Sequence, residues 1–579
     1  MTVKDQITSA KGAVPADTVI KNGKIVDVFN RTVIEGEDVA VSGGMIIGIG
    51  RYEGRETVDA GGRFIVPGLI DAHVHIESSM MTPQNFSRTI VPRGVTTAVT
   101  DPHEIANVLG TKGISYMIED GKKSAADLYT MLPSSVPSTP FETAGAALTS
   151  RDLAVFLEDH AVLGLAEVMD YPAVAEASDD MLRKITLARK AGKTVDGHAS
   201  GLPETALNVY RTAGIETDHE CTTADEARER IRRGFYVMLR EGSVAKDVLA
   251  LLPAVTEANS HRFLFCTDDK HPDDLLAEGS IDHNIRLAVA SGLSPVTAIA
   301  MASLNTALCY GLKTKGAVAP GCEATFSLVE DLHDFRADEV YVKGVLTARN
   351  GKMIDAPSET APLPSALTGT VRPGQVQAED FTIEIGTEGN ANIIGVQANS
   401  LITRHLVEKV NADASGRFIP CVEKDQLTMA VVERHGKTGG KGVGIVKGLG
   451  LKKGAVATTI AHDSHNIIAA GTNEGDIASA VKALADQEGG FVIVLDGSTI
   501  ASVPLPLAGL MSLSPALELA EQLEGLHKAF GKVGTEGGFN PFLTLSFLAL
   551  PVIPSLKLTD KGLFSTEKMA HIPVGTRLH

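Results

Sequence analysis

Six side chains of types that commonly bind metals stand at the ends of apolar runs in the first half of the chain. They are His73, His75, Glu167, His198, His219 and Asp268. Side chains two positions apart on a β-strand point to the same side, so the pair at 73 and 75 can reach one ion. Alternatively, the six could merely cap strands and bond to loops. Burying so many ionisable groups without partners is costly, which favours a site for one or two divalent metal ions.

A (β/α)8 barrel is the element arrangement that would bring these side chains together. We predict eight strands, which end near His75, Asp101, Pro133, Glu167, His198, His219, Leu239 and Asp268. Helical patterns lie between them at Asp152–His160, Asp180–Ala191, Pro203–Ala213, Thr223–Arg233 and Pro272–Ser291. The carboxyl ends of barrel strands converge on one mouth, where active sites form. The pattern therefore predicts an α/β fold whose central (β/α)8 barrel carries the metal site.

The flanks of this region predict further domains. Short strands with hairpin signals at Asn22-Gly23 and Gly43-Gly44 precede the barrel. A similar strand-and-turn pattern occurs again at 339–352. We therefore expect a small β domain built from residues 1–66 and 313–360 around a barrel at 67–312. A Pro- and Thr-rich linker at 361–376 should lead to a C-terminal α+β domain at 377–579. The Gly-rich run at 436–454 has no phosphate-binding motif and is typical of a loop or hairpin.

Composition excludes several classes of protein. With 579 residues, 44% of them hydrophobic, the chain can bury a large core and is neither disordered nor fibrous. The net charge of −18 disfavours binding to nucleic acid or to an anionic membrane. The five cysteines form no CxxC pair, and the apolar segment 543–556 is too short to span a membrane and should form a buried strand or loop. The N-terminus has no apolar signal region, so we expect a cytoplasmic protein.

Several motifs resemble a known enzyme group. VPGLIDAHVHIE is similar to the first metal motif of the amidohydrolase superfamily. HIESSMMTP, VTDPHEIANVLG, VDGHASGL and CTDDKHPDDL resemble bacterial adenine deaminases, and the likeness continues to the HDSHNI segment. The resemblance implies hydrolysis of adenine to hypoxanthine and ammonia in purine salvage, and a homo-oligomer. It also implies two divalent metals, Mn²⁺ or Fe²⁺, although Zn²⁺ suits the same ligands.

The resemblance also implies a role for each candidate ligand. His73 and His75 would bind the more buried metal, and His198 and His219 the second. Glu167 would bridge the two, because the fourth strand lacks the lysine that often does so in this superfamily. Asp268 would bind the first metal and handle the proton of the nucleophilic water.

One departure from the superfamily pattern concerns the proton for the purine ring. Many relatives carry HxxE on the fifth strand, but Gly201 stands three residues after His198. Glu104 or Asp101 could supply the proton instead, or Glu167 could do so without bridging. Glu104 and Asp101 could equally cap the helix that follows them.

Weaker candidates for substrate contact lie elsewhere at predicted strand ends and in the third domain. They are Ser134, Ser135, His103, Asp269 and His465. The HDSHN segment at 462–466 could complete the active site or could be a polar turn. Two other functions stay open: hydrolysis of a cyclic or acyl amide at the same metal site, and a non-catalytic scaffold. Loss of metal ligands would mark a scaffold, and all six are present.

Overall fold

A barrel of parallel strands forms the centre of the molecule. The computed structural model describes residues 2–355, 365–386, 389–397, 400–534 and 540–576. Five barrel strands pair in chain order within one sheet and three within a second. The eight strands are Leu69–Val74, Val95–Thr100, Asp127–Leu132, Val162–Val168, Thr194–Gly197, Thr217–Asp218, Tyr236–Arg240 and Phe263–Cys266. The predicted barrel is confirmed, and each predicted strand end lies within two residues of an observed one.

Backbone hydrogen bonds join the two sheets on both sides of the barrel. The Asp268 N–H donates to the carbonyl of His73 at 2.9 Å, and the Glu216 N–H donates to the carbonyl of Val195 at 2.8 Å. The first two strands are buried at every position, as expected of parallel strands covered on both faces. Apolar side chains from alternate positions fill the interior, so the barrel is a packed core: Ala72, Val99, Met131, Ala166, Met238, Leu264 and Cys266.

Helices surround the barrel. They are Pro83–Ile90, His103–Leu109, Thr111–Gly121, Ser150–Ala154, Tyr171–Ala175, Asp179–Lys190, Glu204–Ala213, Ala224–Arg232, Val248–Leu251, Pro272–Ala277, Ile281–Ala290, Pro295–Met301 and Leu304–Cys309. Two predicted helices were wrong in extent. The one expected at 152–160 ends at Ala154. The one expected at 272–291 is split because Gly279 has φ +119°, which no helical residue adopts.

Strands from both sides of the barrel sequence share one seven-stranded sheet, as expected. They are Lys24–Asp27, Thr32–Glu35, Phe64–Pro67, Phe326–Val329, Ala337–Val342, Val345–Arg349 and Lys352–Met353. A four-stranded sheet packs against it: Ala16–Lys21, Asp38–Ser42, Met45–Gly50 and Gly54–Asp59. Helix Val3–Ala10 precedes them.

One of the two predicted N-terminal hairpins does not form. Gly43-Gly44 does join paired strands, since Ser42 lies opposite Met45. The strands beside Asn22-Gly23 instead enter different sheets, so that hairpin prediction was wrong. Ile20 and Ile25 pack into the same core between the two sheets. The chain therefore crosses from one sheet to the other at this turn.

The C-terminal region is built on an eight-stranded sheet. Its strands are Asn390–Gly395, Arg404–Lys409, Gln426–Val432, Lys441–Lys447, Ala455–Thr458, Ile467–Gly471, Gly490–Leu495 and Ser498–Pro504. Two small sheets are formed by Asn411–Ala412 with Phe418–Ile419, and by Leu556–Thr559, Gly562–Ser565 and Ala570–His571. The helices are Glu474–Asp486, Ala516–Phe530 and Pro541–Ser546. The last of these shows that segment 543–556 begins as a helix and not as a strand or loop.

The segment predicted to be a linker lies partly outside the described residues, which omit 361–364. From 365 onward it contacts the C-terminal region: the Arg372 N–H donates to the carbonyl of Arg434 at 2.8 Å. Among the helices of the described residues, none is both long and apolar enough to cross a membrane.

Candidate active site

The HxH pair lies at the end of the first barrel strand, and its two rings meet edge to face. The Nε2 atoms of His73 and His75 are 3.2 Å apart, and Asp268 Oδ1 lies 3.4 Å and 3.0 Å from them. The Nδ1 atom of His75 is 2.9 Å from the carbonyl oxygen of Asp101 and must therefore carry the proton. This leaves the Nε2 lone pair of His75 directed at the cluster, as metal ligation requires.

Glu167 lies between two pairs of histidines. Its Oε1 is 3.4 Å from His75 Nε2 and 3.8 Å from His73 Nε2. Its Oε2 is 2.7 Å from His198 Nδ1 and 3.4 Å from His219 Nε2. Burial by itself would raise the pKa of Glu167, but hydrogen bonds from the histidines outweigh it and hold the pKa well below its usual value. An ionised carboxylate with one oxygen toward each pair has the placement of a bridging ligand.

The donor set fits divalent cations. His73, His75 and Asp268 form one group of converging donor atoms, and His73, Glu167 and His219 form another, each within 4.8 Å. His198 and His219 form a third with Glu220. Imidazole nitrogens and carboxylate oxygens without thiolates suit Mn²⁺, Fe²⁺ or Zn²⁺. The structure thus brings together all six side chains that the sequence singled out as ligands.

Arg240, at the end of the seventh strand, was not expected from the sequence. Its guanidinium donates to Asp268 Oδ2 at 2.9 Å, contacts Glu220 closely and lies 3.2 Å from Asp247. Burial would lower the pKa of Arg240, but the three carboxylates outweigh burial and raise it. The buried cation therefore holds one oxygen of Asp268 and leaves the other facing the histidines. The only sequence signal was a charged residue at the end of an apolar run.

Asp268 and Asp269 point in different directions. Asp268 has φ +56°, a left-handed conformation that aspartate and asparagine tolerate better than most residues. The side chain of Asp269 instead accepts a hydrogen bond from the hydroxyl of Ser78 and lines the pocket beside the cluster. The turn after the eighth strand thus separates two adjacent carboxylates that have different neighbours.

A second cluster joins the barrel to the C-terminal region. His462 Nδ1 contacts one carboxylate oxygen of Glu104, and His465 Nε2 contacts the other. Burial would raise the pKa of Glu104, but the charges of the two histidines outweigh it and hold the pKa well below its usual value. The HDSHN segment therefore reaches the barrel mouth. It is not simply a turn within its own sheet.

Apolar side chains of the C-terminal region form a wall of the pocket that the metal-ligand cluster also lines. They are Leu401, Phe547, Leu550, Val552 and Ile553. Phe547 stacks on the ring of His462, with centroids 4.5 Å apart and planes 13° from parallel. The buried Nζ of Lys557 donates to the carbonyl oxygens of Leu401 at 2.9 Å and Phe547 at 3.0 Å, which ties two parts of this wall together. The sequence marked segment 543–556 as apolar and buried but did not indicate that it lies at the active site.

The weaker candidates divide into two sets. His103 and Asp269 line the pocket. Ser134 and Ser135 do not: the Ser134 hydroxyl donates to the carbonyl of Glu167 at 2.5 Å and lies 2.9 Å from that of Ser135.

Asp101 and His465 also lie behind the pocket surface. The Asp101 carboxylate accepts the N–H of His103 at 3.1 Å, which is the helix-capping alternative. His465 instead supports Glu104. Both residues therefore reach the pocket through a neighbour.

Two family models match the chain. The amidohydrolase family model covers residues 64–347, which include the barrel and the six clustered side chains. A model described as the adenine deaminase C-terminal domain covers residues 400–570, which include the HDSHN segment and the apolar wall. Fold and site together define an amidohydrolase with an additional C-terminal domain that reaches the barrel mouth.

Curated proteins match over almost the whole chain. An adenine deaminase of Geobacillus kaustophilus is 52% identical over 574 residues, which are 99% of each chain. One of Bacillus subtilis is 51% identical over 559 residues, 96% of each chain. A solved β-aspartyl dipeptidase of Fervidobacterium islandicum is 20% identical with a TM-score of 0.45, over 59% of this chain and 98% of its own. At about 50% identity over its full length, the chain belongs to the adenine deaminase family.

Proposed function

We propose that the protein hydrolyses adenine to hypoxanthine and ammonia. The observation that supports this most is the buried cluster of four histidines and two carboxylates at a small pocket, in a chain of this family. No feature favours the alternative of a cyclic or acyl amide substrate. Recovery of a free base is the chemistry of purine salvage. Cytoplasmic location, a homo-oligomer and the domain division given above stay predictions.

The six clustered side chains would hold the metals. We assign His73, His75 and Asp268 to one ion, His198 and His219 to the other, and Glu167 to both. Two divalent ions, Mn²⁺ or Fe²⁺ by family resemblance, would lower the pKa of a water molecule toward about 7 and so supply hydroxide at neutral pH. Asp268 would take the proton of the nucleophile and pass it to the departing amine. Arg240 keeps the second oxygen of that carboxylate occupied, so only Oδ1 is available for the transfer.

Attack at C6 of adenine places negative charge on the adjacent ring nitrogen N1, which must be protonated. The Glu104 cluster is the source that the pocket supports best. Glu104 lies beside His103, whose ring is 4.6 Å from that of His75. The cluster is thus next to the metal ligands, so one ring could contact both.

The apolar wall supports a free base as substrate. Phe547, Leu550 and Ile553 line the same small pocket as the ligand cluster, which leaves little room for a sugar attached to the base. A base stacked against this wall would lose its apolar contacts with water, which favours binding. We therefore propose that adenine is preferred over adenosine.

The experiment that tests the proposal combines metal analysis with an activity assay. Purified protein is depleted of metal, reconstituted with Mn²⁺, Fe²⁺ or Zn²⁺, and assayed for ammonia release from adenine, adenosine and cytosine. We expect adenine to be the best substrate by kcat/KM. If adenine released no ammonia with any of the three metals, the proposal would be wrong.

A further inference from the structure

Both carboxylate oxygens of Glu104 are already taken by histidines of the C-terminal domain. His462 and His465 approach one oxygen each, and the carboxylate is only 2% exposed. A carboxylate held by two such donors is ionised and has no proton to transfer. Glu104 can therefore influence the substrate only through a neighbouring group.

His465 lies behind the pocket surface, and His103, which lines the pocket, has carboxylates near both ring nitrogens. His465 Nδ1 accepts the N–H of Ala461 at 3.2 Å, so the proton of its ring is on Nε2, which donates to Glu104. This tautomer has no lone pair on Nε2, and His465 cannot bind a metal there. His103 Nδ1 lies 3.2 Å from Asp101 Oδ2, and its Nε2 lies 3.5 Å from Glu104 Oε1. Both nitrogens of each ring thus face protein groups.

His462 differs from them because only one of its nitrogens is engaged. Its Nδ1 is bound to Glu104, whereas its Nε2 makes no hydrogen bond to any residue that the structure describes. The ring lines the pocket and is held flat against Phe547. A carboxylate that orients one imidazole nitrogen while the other faces a cavity is the usual arrangement of a histidine that transfers protons.

We propose that His462 is a catalytic residue of the adenine deamination reaction, which donates the proton to ring nitrogen N1 and is oriented by Glu104. The inference rests on the proposed function and names the group that the proton comes from. As the oxygen of water bonds to C6, the C6–N1 π pair moves to N1, which takes the Nε2 proton of His462. The C6–amine bond then breaks, and the amine leaves as ammonia with the proton carried by Asp268. The second proton of the water restores His462.

The charges around His462 favour its protonated form. The groups that face it are Glu104 from the barrel helix, Asp269 after the eighth strand, His271 beyond it, and Asp463 and His465 from its own segment. Burial lowers the pKa of His462, but Glu104 and the other carboxylates outweigh it and raise the pKa to about 9. Activity that requires the protonated ring should therefore be lost as the pH rises through this value.

Two substitutions test whether His462 or Glu104 donates the proton to N1. We expect His462→Gln to lower kcat for adenine at least ~10²-fold with little change in KM, since a general acid is typically worth ~10²–10⁴-fold. Glu104→Gln should cost less. It should also move the alkaline limb of kcat about 1–3 pH units lower, because the imidazole loses its anionic partner. His465→Gln is the matched control: it removes the other histidine from Glu104 but leaves the donor, and should cost less than His462→Gln.

A binding measurement keeps the test independent of turnover. Purine and 1-deazapurine have no amine to lose and differ in the presence of N1. The metal-loaded wild-type protein should bind purine more tightly, and His462→Gln should abolish the difference. Metal content and the thermal transition of each variant show whether it is folded.

Each result either supports the inference or overturns it. If His462→Gln keeps more than a tenth of kcat, or if it discriminates purine from 1-deazapurine as wild type does, His462 is not the donor. If Glu104→Gln lowered kcat more than His462→Gln did and left the alkaline limb of the kcat–pH profile in place, Glu104 would be the donor. A wild-type protein inactive on adenine would refute the proposed function, while the binding comparison would still decide whether His462 contacts N1.

Discussion

Replacing Asp268 with asparagine should remove nearly all turnover and leave the fold intact. Asparagine is nearly isosteric with aspartate and tolerates left-handed backbone, so φ +56° at this position costs it little. An amide oxygen can still accept from Arg240, which keeps its contacts with Glu220 and Asp247. What the variant loses is the anionic Oδ1 atom, which lies 3.0 Å from His75 Nε2 and 3.4 Å from His73 Nε2.

The expected loss follows from two roles of this one oxygen. An amide cannot accept the proton of the nucleophile, and loss of general acid–base catalysis alone costs ~10²–10⁴-fold. An uncharged ligand also binds a divalent ion more weakly than a carboxylate does. Together we expect kcat to fall at least ~10³-fold, which corresponds to about 4 kcal/mol in the activation free energy. The thermal transition should move only modestly.

The assay is ammonia release from adenine by wild type, Asp268→Asn and Asp269→Asn, each with measured metal content and thermal transition. Asp269 is the matched control, because its carboxylate accepts from Ser78, whereas Asp268 Oδ1 lies next to Nε2 of both His73 and His75. We expect Asp269→Asn to be much the milder variant. If it proved the more damaging of the two, the proton-transfer role would belong to Asp269 and our assignment at this turn would be refuted.

Three other outcomes are expected. Active reconstituted enzyme should hold close to two metal equivalents; full activity at one equivalent would make Glu167 a proton carrier instead of a bridge. Adenosine should have a much lower kcat/KM than adenine, and equal values would contradict the proposed preference for a free base. Arg240→Met should lower the free energy of unfolding in denaturant titration by ~3–5 kcal/mol, since buried carboxylates lose their cation. Arg228→Met, at a half-exposed side chain, should cost no more than ~1 kcal/mol, and similar effects of the two would refute that interpretation.

Much of the barrel could be predicted from the sequence because its signals are local. Each buried parallel strand is a short apolar run, and the polar residue at its end marks the barrel mouth. Two local signals were nevertheless misleading. The hairpin signal at Asn22-Gly23 was overridden because Ile20 and Ile25 both pack into the core between two sheets. The split of the helix near Gly279 depends on a positive backbone angle, which glycine permits but which the sequence alone does not predict.

The second half of the site could not be predicted in this way. Glu104 and His462 are separated by 358 residues, and nothing near either one indicates the other. Arg240 could have faced solvent or the mouth, because a charged residue after a strand can turn either way. Its contact with Asp268 depends on the twist and closure of the barrel.

The sequence by itself determined which side chains can bind metal and that they end neighbouring strands, because ligand chemistry and strand period are properties of short segments. Only the tertiary structure decided that Glu167 has one oxygen toward each histidine pair, and that Glu104 is held as a carboxylate by the C-terminal domain. The first feature depends on closure of the barrel, and the second depends on the packing of the C-terminal domain against it. A hydrogen bond acts over about 3 Å, so its partners are settled only when the whole chain has folded.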